Sequence, residues 1–248
     1  MITVKRLRSF FIYTPPDPVS FWSRRAADPG WLSVMWANAT YNELAHIDQW
    51  QAIERNLPAR RGAVLDLGCG IGRLSARLAG LFEDYVGVDL DTMVTEARRR
   101  HPDLATEFVA ASVQDYDYPV ERFDLVLSMA CLASACRAGE LPEIAKRLVN
   151  ATRSGGRIIM IDPFHRLPAL TRTCRLSAGQ VVEHFTALGM TVEEWSGVHF
   201  IPGRLLLARY RLSSFSRLTR IGYRIGEAIG RLAPRLLSDY SVIALTKN

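Results

Sequence analysis

The chain has 248 residues, of which 48% are hydrophobic, and its mean hydropathy is +0.03. These values are typical of a soluble globular protein with a sizeable core, built as one large domain with appendages. No apolar stretch is long enough to span a bilayer. The apolar run 10–13 is too short for the core of a signal peptide, so we expect a cytoplasmic protein.

The formal net charge of +6 comes from one C-terminal segment. Between Gly203 and Tyr240 there are eight arginines and only two acidic residues, Glu227 and Asp239. The rest of the chain is therefore formally neutral, and the basic character belongs to this segment alone.

The four cysteines predict neither disulfides nor a metal site. The chain contains no Cys-x-x-Cys pair and no clustered histidines, so we expect reduced, mostly buried thiols and no bound metal. The four are Cys69, Cys131, Cys136 and Cys174.

Residues 1–17 are predicted to form an irregular arm ending in prolines, and apolar residues spaced by three or four predict a helix over 31–56. Strand and helix patterns then alternate. Strands are predicted over 63–67, 85–88, 106–109, 123–128 and 157–161, with helices over 71–81, 92–100, 141–152 and 178–188. Short apolar strands separated by helices predict a doubly wound α/β protein with a parallel sheet.

The C-terminal part departs from this alternation. Two strands are predicted over 190–200 and 240–246, and a basic helical segment separates them. We therefore divide the chain into an N-terminal arm and helical cap, 1–57, and a main domain, 58–248, that contains an amphipathic basic insertion over 204–237.

The segment 64–73, with the sequence VLDLGCGIGR, organises the main domain. An apolar strand carries the acidic residue Asp66 and opens into glycines at alternate positions. Glycines tolerate unusual backbone angles at such a strand-to-helix turn and let a ligand approach the main chain. An acidic residue ahead of the turn would repel a pyrophosphate but would suit a cationic ammonium group. This favours S-adenosylmethionine over a dinucleotide.

A second acidic residue, Asp89, ends the next predicted strand, 23 residues after Asp66. An acidic residue at this position of a nucleotide-binding sheet accepts hydrogen bonds from the ribose hydroxyls. The alternative is that Asp89 is only the N-cap of the helix that follows.

The segment 64–73 resembles motif I of the class I S-adenosylmethionine-dependent methyltransferases. Residues 87–90 resemble the ribose-binding motif of that family, 123–128 its fourth strand, and 154–159 the Gly-Gly turn into its fifth strand. The resemblance covers roughly residues 60–200 and the last strand. It implies a seven-stranded, mostly parallel sheet of the Rossmann-like methyltransferase fold, whose last strand is antiparallel to the rest. The N-terminal helical extension and the basic insertion are additions to that fold.

The resemblance also implies roles for individual residues. Those that would hold the methionyl end of S-adenosylmethionine are Asp66, Gly68, Cys69 and Gly70. Asp89 would hold the ribose, and Leu90 would pack on the adenine. Many family members carry an acidic residue that contacts the adenine amine where this chain has Ser112, Val113 and Gln114. Ser112 is a departure from that pattern, so we expect backbone groups of this segment or Gln114 to contact the adenine. Ser128 and Met129 would border the transferred methyl group.

A general base is needed only if the acceptor arrives protonated. His165 follows the fifth predicted strand directly, where ligands bind in such sheets, and is therefore the first candidate. His46 and Tyr41 lie on the helix before motif I, which often covers the acceptor pocket in this family. Each of the three could instead be a packed or solvent-exposed residue.

The basic segment allows two interpretations. Apolar residues recur at helical spacing with arginines between them. Either one or two amphipathic helices pack on the domain or cover its active site, with solvated arginines, or the segment contacts a membrane surface or an anionic or lipid-linked substrate. Glycines spaced by four, at 222, 226 and 230, would permit close packing. We expect no nucleic-acid partner, because residues 128–131 lack the Asn-Pro-Pro-Tyr motif of amino-methylating nucleic-acid enzymes and no RNA-binding motif is present.

The sequence therefore predicts methyl transfer from S-adenosylmethionine to an oxygen or nitrogen of a small or medium-sized molecule, in natural-product or cell-envelope biosynthesis. Two alternatives stay open. One is a peripheral membrane methyltransferase acting on a lipid or lipid-linked acceptor. The other is a non-catalytic subunit that binds S-adenosylmethionine.

Overall fold

A computed structural model of the protein describes residues 17–28, 30–104, 106–166, 173–208 and 216–248. Residues 1–16 of the predicted arm lie outside these ranges. All four cysteines lie within them, and each is a free thiol, as predicted.

The core of the fold is a seven-stranded sheet with the order β3-β2-β1-β4-β5-β7-β6. Its strands are β1 (Ala63–Leu67), β2 (Asp84–Asp89), β3 (Glu107–Ala110), β4 (Phe123–Met129), β5 (Thr152–Asp162), β6 (Met190–Phe200) and β7 (Ser238–Lys247). Pairs among β1 to β5 are parallel, whereas β7 is antiparallel to both of its neighbours. The predicted doubly wound sheet with a reversed last strand is confirmed.

Helices cover both faces of this sheet. They are α1 (Pro18–Arg25), α2 (Ala39–Glu54), α3 (Ser75–Ala79), α4 (Asp91–Arg100), α5 (Leu132–Ala135), α6 (Leu141–Ala151), α7 (Ala178–Ala187), α8 (Ile201–Gly203), α9 (Ser216–Gly230) and α10 (Pro234–Leu237). Successive strand residues enter different cores: Leu65 packs with α5 to α7, whereas Val64 packs with α2 to α4. This alternation explains why the central strands are mostly apolar, with Asp66, Asp124 and Ser128 as exceptions in β1 and β4.

Two predicted helices are shorter than their apolar patterns. The pattern over 31–56 contains a short 3₁₀ turn, Gly30–Ser33, and α2 begins only at Ala39 because Asn38 caps it by accepting a hydrogen bond from the Tyr41 amide at 3.2 Å. The helix predicted from residue 71 begins at Ser75, because Gly72 has a φ of +79°. Left-handed residues interrupt helices, and spacing alone does not reveal them.

The basic insertion is helical and lies between β6 and β7, as predicted. A π-helical turn, Arg204–Ala208, follows α8, and α9 and α10 complete the insertion. Leu212 and Phe215, which belong to the predicted apolar pattern, lie outside the described residues.

Helix α9 packs on the domain through small and polar residues, and not through its apolar residues. The buried positions of α9 are Thr219, Tyr223, Gly226 and Gly230. Gly226 and Gly230 lie against Phe200 at the end of β6, and the Tyr223 hydroxyl donates to Asp48 of α2 at 2.6 Å. The helix α9 therefore packs on the domain, but the side that it buries is the glycine and polar side and not the apolar one.

Candidate functional site

A cavity of about 240 Å³ lies beside the glycine turn. In the register of the sheet, Leu67 of β1 pairs with Val88 of β2 and with Ser128 of β4, so these strands end at one level. Open α/β sheets bind ligands at this edge, where the strand order reverses. The lining includes Trp22, Trp36, Asp66, Met129, His165 and Arg204.

The glycine turn has a left-handed backbone conformation that residues with a side chain rarely adopt. Gly68 and Gly70 have φ values of +78° and +57°. A Cβ atom at Gly68 would lie 2.4 Å from the Cβ of Cys131. The amides of Gly68 and Cys69 both donate to the carbonyl oxygen of Val88, at 2.8 and 3.1 Å. The turn is thus locked to β2, and Gly68, Cys69 and Gly70 all line the cavity.

Asp66 is a buried carboxylate in the wall of the cavity. Burial raises the pKa of this carboxyl to about 7, although the Tyr85 hydroxyl donates to its Oδ2 at 2.9 Å and opposes that shift. The Tyr85 hydroxyl is in turn 2.7 Å from the Ser75 hydroxyl at the start of α3. A cationic group entering the cavity would favour the ionised form of Asp66.

Asp89 connects the end of β2 to the glycine turn. Its Oδ2 accepts from the Gly70 amide and its Oδ1 from the Leu90 amide, each at 2.7 Å. Burial raises its pKa to about 6, against the effect of these two bonds. Each carboxylate oxygen has a second lone pair, so Asp89 can still accept from ligand hydroxyls. Asp89 and Leu90 stand next to the turn but outside the cavity lining.

The predicted adenine-contacting segment also lies outside the cavity. The Ser112 hydroxyl donates to Asp115 at 2.6 Å, and Val113 is buried in the core. The Gln114 amide nitrogen donates to the Ala135 carbonyl at 2.9 Å and to Glu140 at 3.1 Å. Gln114 therefore fastens its loop to α5 and α6.

At the end of β4, Ser128 and Met129 have different surroundings. Ser128 is buried, and its hydroxyl donates to Asp162 of β5 at 2.7 Å. Asp162 also accepts from the Ala133 amide at 3.2 Å, so it joins the ends of two strands to α5. Met129 lines the cavity.

Arg73, the residue that ends the glycine motif, places its guanidinium in the cavity wall. It donates to Oε1 of Gln49 at 2.9 Å and contacts His46 and the sulfur of Met129. Burial lowers the pKa of Arg73 to about 10, so it is charged at neutral pH. Burial, followed by the charge of Arg73, lowers the pKa of His46 to about 4. His46 is therefore a neutral partner of Arg73 and is outside the lining.

His165 lies in the cavity wall beside a buried ion pair. Its Nε2 is 3.6 Å from Oδ1 of Asp239, and both side chains are almost fully buried. Arg204 approaches the two oxygens of Asp239 at 2.8 and 2.9 Å. Burial lowers the pKa of Arg204, but the charge of Asp239, the hydrogen bond to it and the neighbouring tyrosines together leave that pKa above its ordinary value.

Tyr41 is not in this cavity. Its ring is buried among Trp36, Tyr223 and His199, with ring centroids 5.1 to 6.3 Å apart. Burial raises its pKa well above the ordinary value, so its hydroxyl holds its proton. The structure thus brings His165 to the cavity, and it keeps Tyr41 and His46 behind the wall.

Sequence reasoning missed Arg73, Arg204 and Asp239. Arg73 adjoins the recognised motif, but arginine is so common in this chain that it gave no separate signal. Asp239 had one: it is one of only two acidic residues in a segment with eight arginines. The other, Glu227, accepts hydrogen bonds from the backbone amides of His199 and Phe200, at 3.2 and 2.8 Å. Both acids of the basic segment therefore point inward.

Among the residues that the structure describes, no group of three or more metal-ligating side chains could hold a metal ion.

Comparison with known proteins gives a consistent family. A family model described as a methyltransferase domain matches residues 64–156, from β1 to the Gly-Gly segment of β5. A ubiquinone biosynthesis O-methyltransferase of Rhodopseudomonas palustris (strain BisB5) is 27% identical over 173 residues, which cover 60% of this chain and 65% of that protein.

A shorter match is 39% identical over 69 residues to a fatty-acid O-methyltransferase of Mycolicibacterium smegmatis, and covers 27% of this chain and 25% of that protein. In both sequence matches the chain spans less than two thirds of the relative's length.

The fold also has solved counterparts. The crystal structure of an S-adenosylmethionine-dependent methyltransferase from Mesorhizobium loti superposes with a TM-score of 0.59 at 17% identity, covering 80% of this chain and 97% of that one. At this identity the likeness concerns the fold alone.

Proposed function

We propose that the chain is a class I S-adenosylmethionine-dependent methyltransferase that methylates an oxygen atom of a small or medium-sized molecule. The observation that carries the proposal is the position of His165. It lies in the wall of the cavity that also contains Asp66 and the glycine turn, and it faces the buried carboxylate of Asp239 at 3.6 Å. A histidine oriented by a carboxylate is a suitable general base.

The residues beside the glycine turn fit the methyl donor. A methionyl end carries an ammonium and a carboxylate, and the cavity wall offers Asp66 for the first and Arg73 for the second. Asp89 would accept hydrogen bonds from the ribose hydroxyls and Leu90 would pack on the adenine, both outside the cavity lining. When bound, S-adenosylmethionine supplies an electrophilic methyl group on its sulfonium sulfur.

The chain itself contributes alignment, proton removal and exclusion of water. The aromatic residues Phe21, Trp22 and Trp36 contribute to the apolar lining of the cavity. With Nε2 of His165 turned to Asp239, Nδ1 is the nitrogen that receives the proton of an acceptor hydroxyl. Asp239 then stabilises the imidazolium, and Arg204 holds Asp239 in position.

Two of the relatives support oxygen as the acceptor atom. The Rhodopseudomonas palustris and Mycolicibacterium smegmatis proteins are both O-methyltransferases by name. Biosynthesis of a natural product or of a cell-envelope component is the setting we propose, because the chain adds an N-terminal cap and a basic insertion to the catalytic fold.

The test is turnover by the purified protein with a panel of phenolic, aliphatic hydroxyl and carboxylate acceptors, read as formation of S-adenosylhomocysteine. We expect His165→Ala to lower kcat for hydroxyl acceptors by about 10²- to 10³-fold. A carboxylate acceptor arrives ionised and needs no base, so its turnover should change little.

The matched control is His184→Ala on α7, which lies outside the cavity lining. Equal losses for hydroxyl and carboxylate acceptors, or no loss at all, would rule out His165 as the base. Binding of S-adenosylhomocysteine without turnover of any acceptor would favour a non-catalytic subunit.

A further inference from the structure

Helix α9 exposes an apolar stripe that the fold leaves uncovered. Leu218, Ile221, Ile225 and Ile229 are spaced by three or four and lie on one side of α9. Leu232 and Leu236 follow at the same spacing, beyond the end of α9. Between 41% and 83% of each of these residues is exposed to solvent: Leu218, Ile221, Ile225, Ile229, Leu232 and Leu236. An amphipathic helix normally buries such a stripe, so its exposure calls for an occupant.

The stripe stays exposed because another face of α9 holds the helix on the domain. Thr219 accepts from the Asn38 amide at 3.2 Å, and Tyr223 donates to Asp48 at 2.6 Å. Gly226 lets the helix approach Phe200 so closely that an added Cβ would meet the ring at 3.1 Å. These contacts fix which side of α9 faces outward.

The segment itself contributes only positive charge around the stripe, and one of its arginines, Arg220, is paired with the exposed Glu43 of α2 at 3.3 Å. Five arginines of the segment are exposed: Arg217, Arg220, Arg224, Arg231 and Arg235. The acidic residues of the same segment, Glu227 and Asp239, are turned inward to the backbone of β6 and to Arg204. Between residues 216 and 236, therefore, the outward surface combines aliphatic side chains with arginines and has no exposed carboxylate.

We propose that the outward face of α9 and α10 docks on the surface of an anionic lipid bilayer. The aliphatic stripe enters the boundary between headgroups and acyl chains, and the arginines contact anionic headgroups. A second copy of this chain fits less well, because a two-fold interface would bring five arginines of each copy together, and the nearby acid Glu43 already pairs with Arg220.

Docking goes beyond the proposed methyl transfer and does not depend on it. The experiment is co-sedimentation of the purified full chain with vesicles of phosphatidylcholine alone and of phosphatidylcholine mixed with phosphatidylglycerol. We expect the partition coefficient to be at least ~10-fold higher for the mixed vesicles and to fall when salt is raised. No binding to the mixed vesicles would overturn the proposal.

The decisive variant is the pair Ile221→Asn and Ile225→Asn, which should lower binding to mixed vesicles about tenfold or more. Both side chains are exposed, so the variant should fold, and an unchanged Tm checks this. The matched control changes two exposed aliphatic residues elsewhere, Val120→Asn and Leu188→Asn, and should bind like the unmodified protein.

Three results would contradict docking through this face. The Ile221/Ile225 variant could bind as well as the unmodified protein, or the control could lose binding equally. Sedimentation velocity could also show a dimer that the same variant dissociates, which would assign the stripe to a second copy. Calorimetric binding of S-adenosylhomocysteine should be unchanged in both variants, so failure of docking and failure of the proposed function are separable.

Discussion

Asp66 and Asp89 are the two carboxylates nearest the glycine turn, and burial raises the pKa of both, to about 7 and about 6. Both groups therefore bind protons more readily in the folded chain than in the unfolded chain. Their contribution to stability is fully present below the unfolded pKa of 3.8 and is lost as the pH rises through about 6 to 7. The affinity for a ligand should instead increase as the pH rises, because an ammonium group binds the ionised carboxylate of Asp66.

We expect the affinity for S-adenosylhomocysteine to fall as the pH drops below about 7, by up to ~10-fold per pH unit for each carboxyl that must ionise. Calorimetric titrations across the weakly acidic range measure this. The Asp66→Asn variant should bind more weakly at neutral pH and show a shallower dependence. An identical slope in that variant would mean that Asp66 does not hold the ammonium group.

Gly68 requires both its left-handed backbone and its missing side chain. Gly68→Ala should destabilise the protein by about 2–4 kcal/mol, from the cost of a positive φ and from overlap with Cys131. Gly155→Ala is the control: Gly155 has a φ of +74°, but a Cβ there would meet nothing within 4 Å. Its cost should stay near ~1–2 kcal/mol. Urea unfolding measures both, and equal costs would refute the steric part of the argument.

At the scale of the elements, α9 is a helix whose buried side is not its apolar side. Its spacing predicts a helix, and the structure contains one, but the pattern also predicts that the leucines and isoleucines are the buried residues. Glycines at 222, 226 and 230 instead permit a close approach to Leu207 and Phe200. Two hydrogen bonds also hold α9 on α2: Tyr223 donates to Asp48, and Thr219 accepts from Asn38, the N-cap of α2.

Gly226→Val should therefore destabilise the protein by about 1–3 kcal/mol, because the added side chain meets Phe200. Ala228→Val introduces the same residue at an exposed position of α9 and should cost no more than ~0.7 kcal/mol, the difference in helix propensity. Chemical unfolding of the two variants gives the comparison. A larger cost for Ala228→Val than for Gly226→Val would show that α9 does not pack through its glycine face.

At the scale of the whole molecule, the ion pair of Arg204 and Asp239 joins the insertion to the last strand and to the cavity. Asp239 is the second residue of β7, and Arg204 opens the turn that leads into the insertion. His165, from the loop after β5, faces the same carboxylate. The basic insertion and the candidate site thus form one structure, although 34 residues separate the two members of the pair.

Removing one member of this pair leaves the other charge buried. Arg204→Met should cost about 3–5 kcal/mol, whereas the double variant Arg204→Met and Asp239→Asn should cost clearly less than the sum of the single variants. A double-mutant cycle by urea unfolding measures the coupling. Strictly additive costs would show that the two side chains act independently.

The sequence by itself determined the order of strands and helices along the chain, the glycine turn and the resemblance to the S-adenosylmethionine-dependent methyltransferases. These features depend on local patterns: apolar strands buried on both faces, alternate glycines, and an acid at a fixed interval. They also placed Asp66, Gly68, Cys69 and Gly70 at the cavity, because all four belong to one strand-to-turn unit whose geometry its own residues impose.

Only the tertiary structure decided which distant residues share the site and which face of α9 is buried. His165, Arg204 and Asp239 come from three separate segments, and no spacing in the chain announces that they meet. Tyr41 has the same helical context as His46, yet packing places it in an aromatic cluster. The outward stripe of α9 follows from close glycine contacts and from two inward-turned acids. These contacts depend on how segments that are distant in the sequence pack against one another, and the spacing of residues along the chain does not specify that packing.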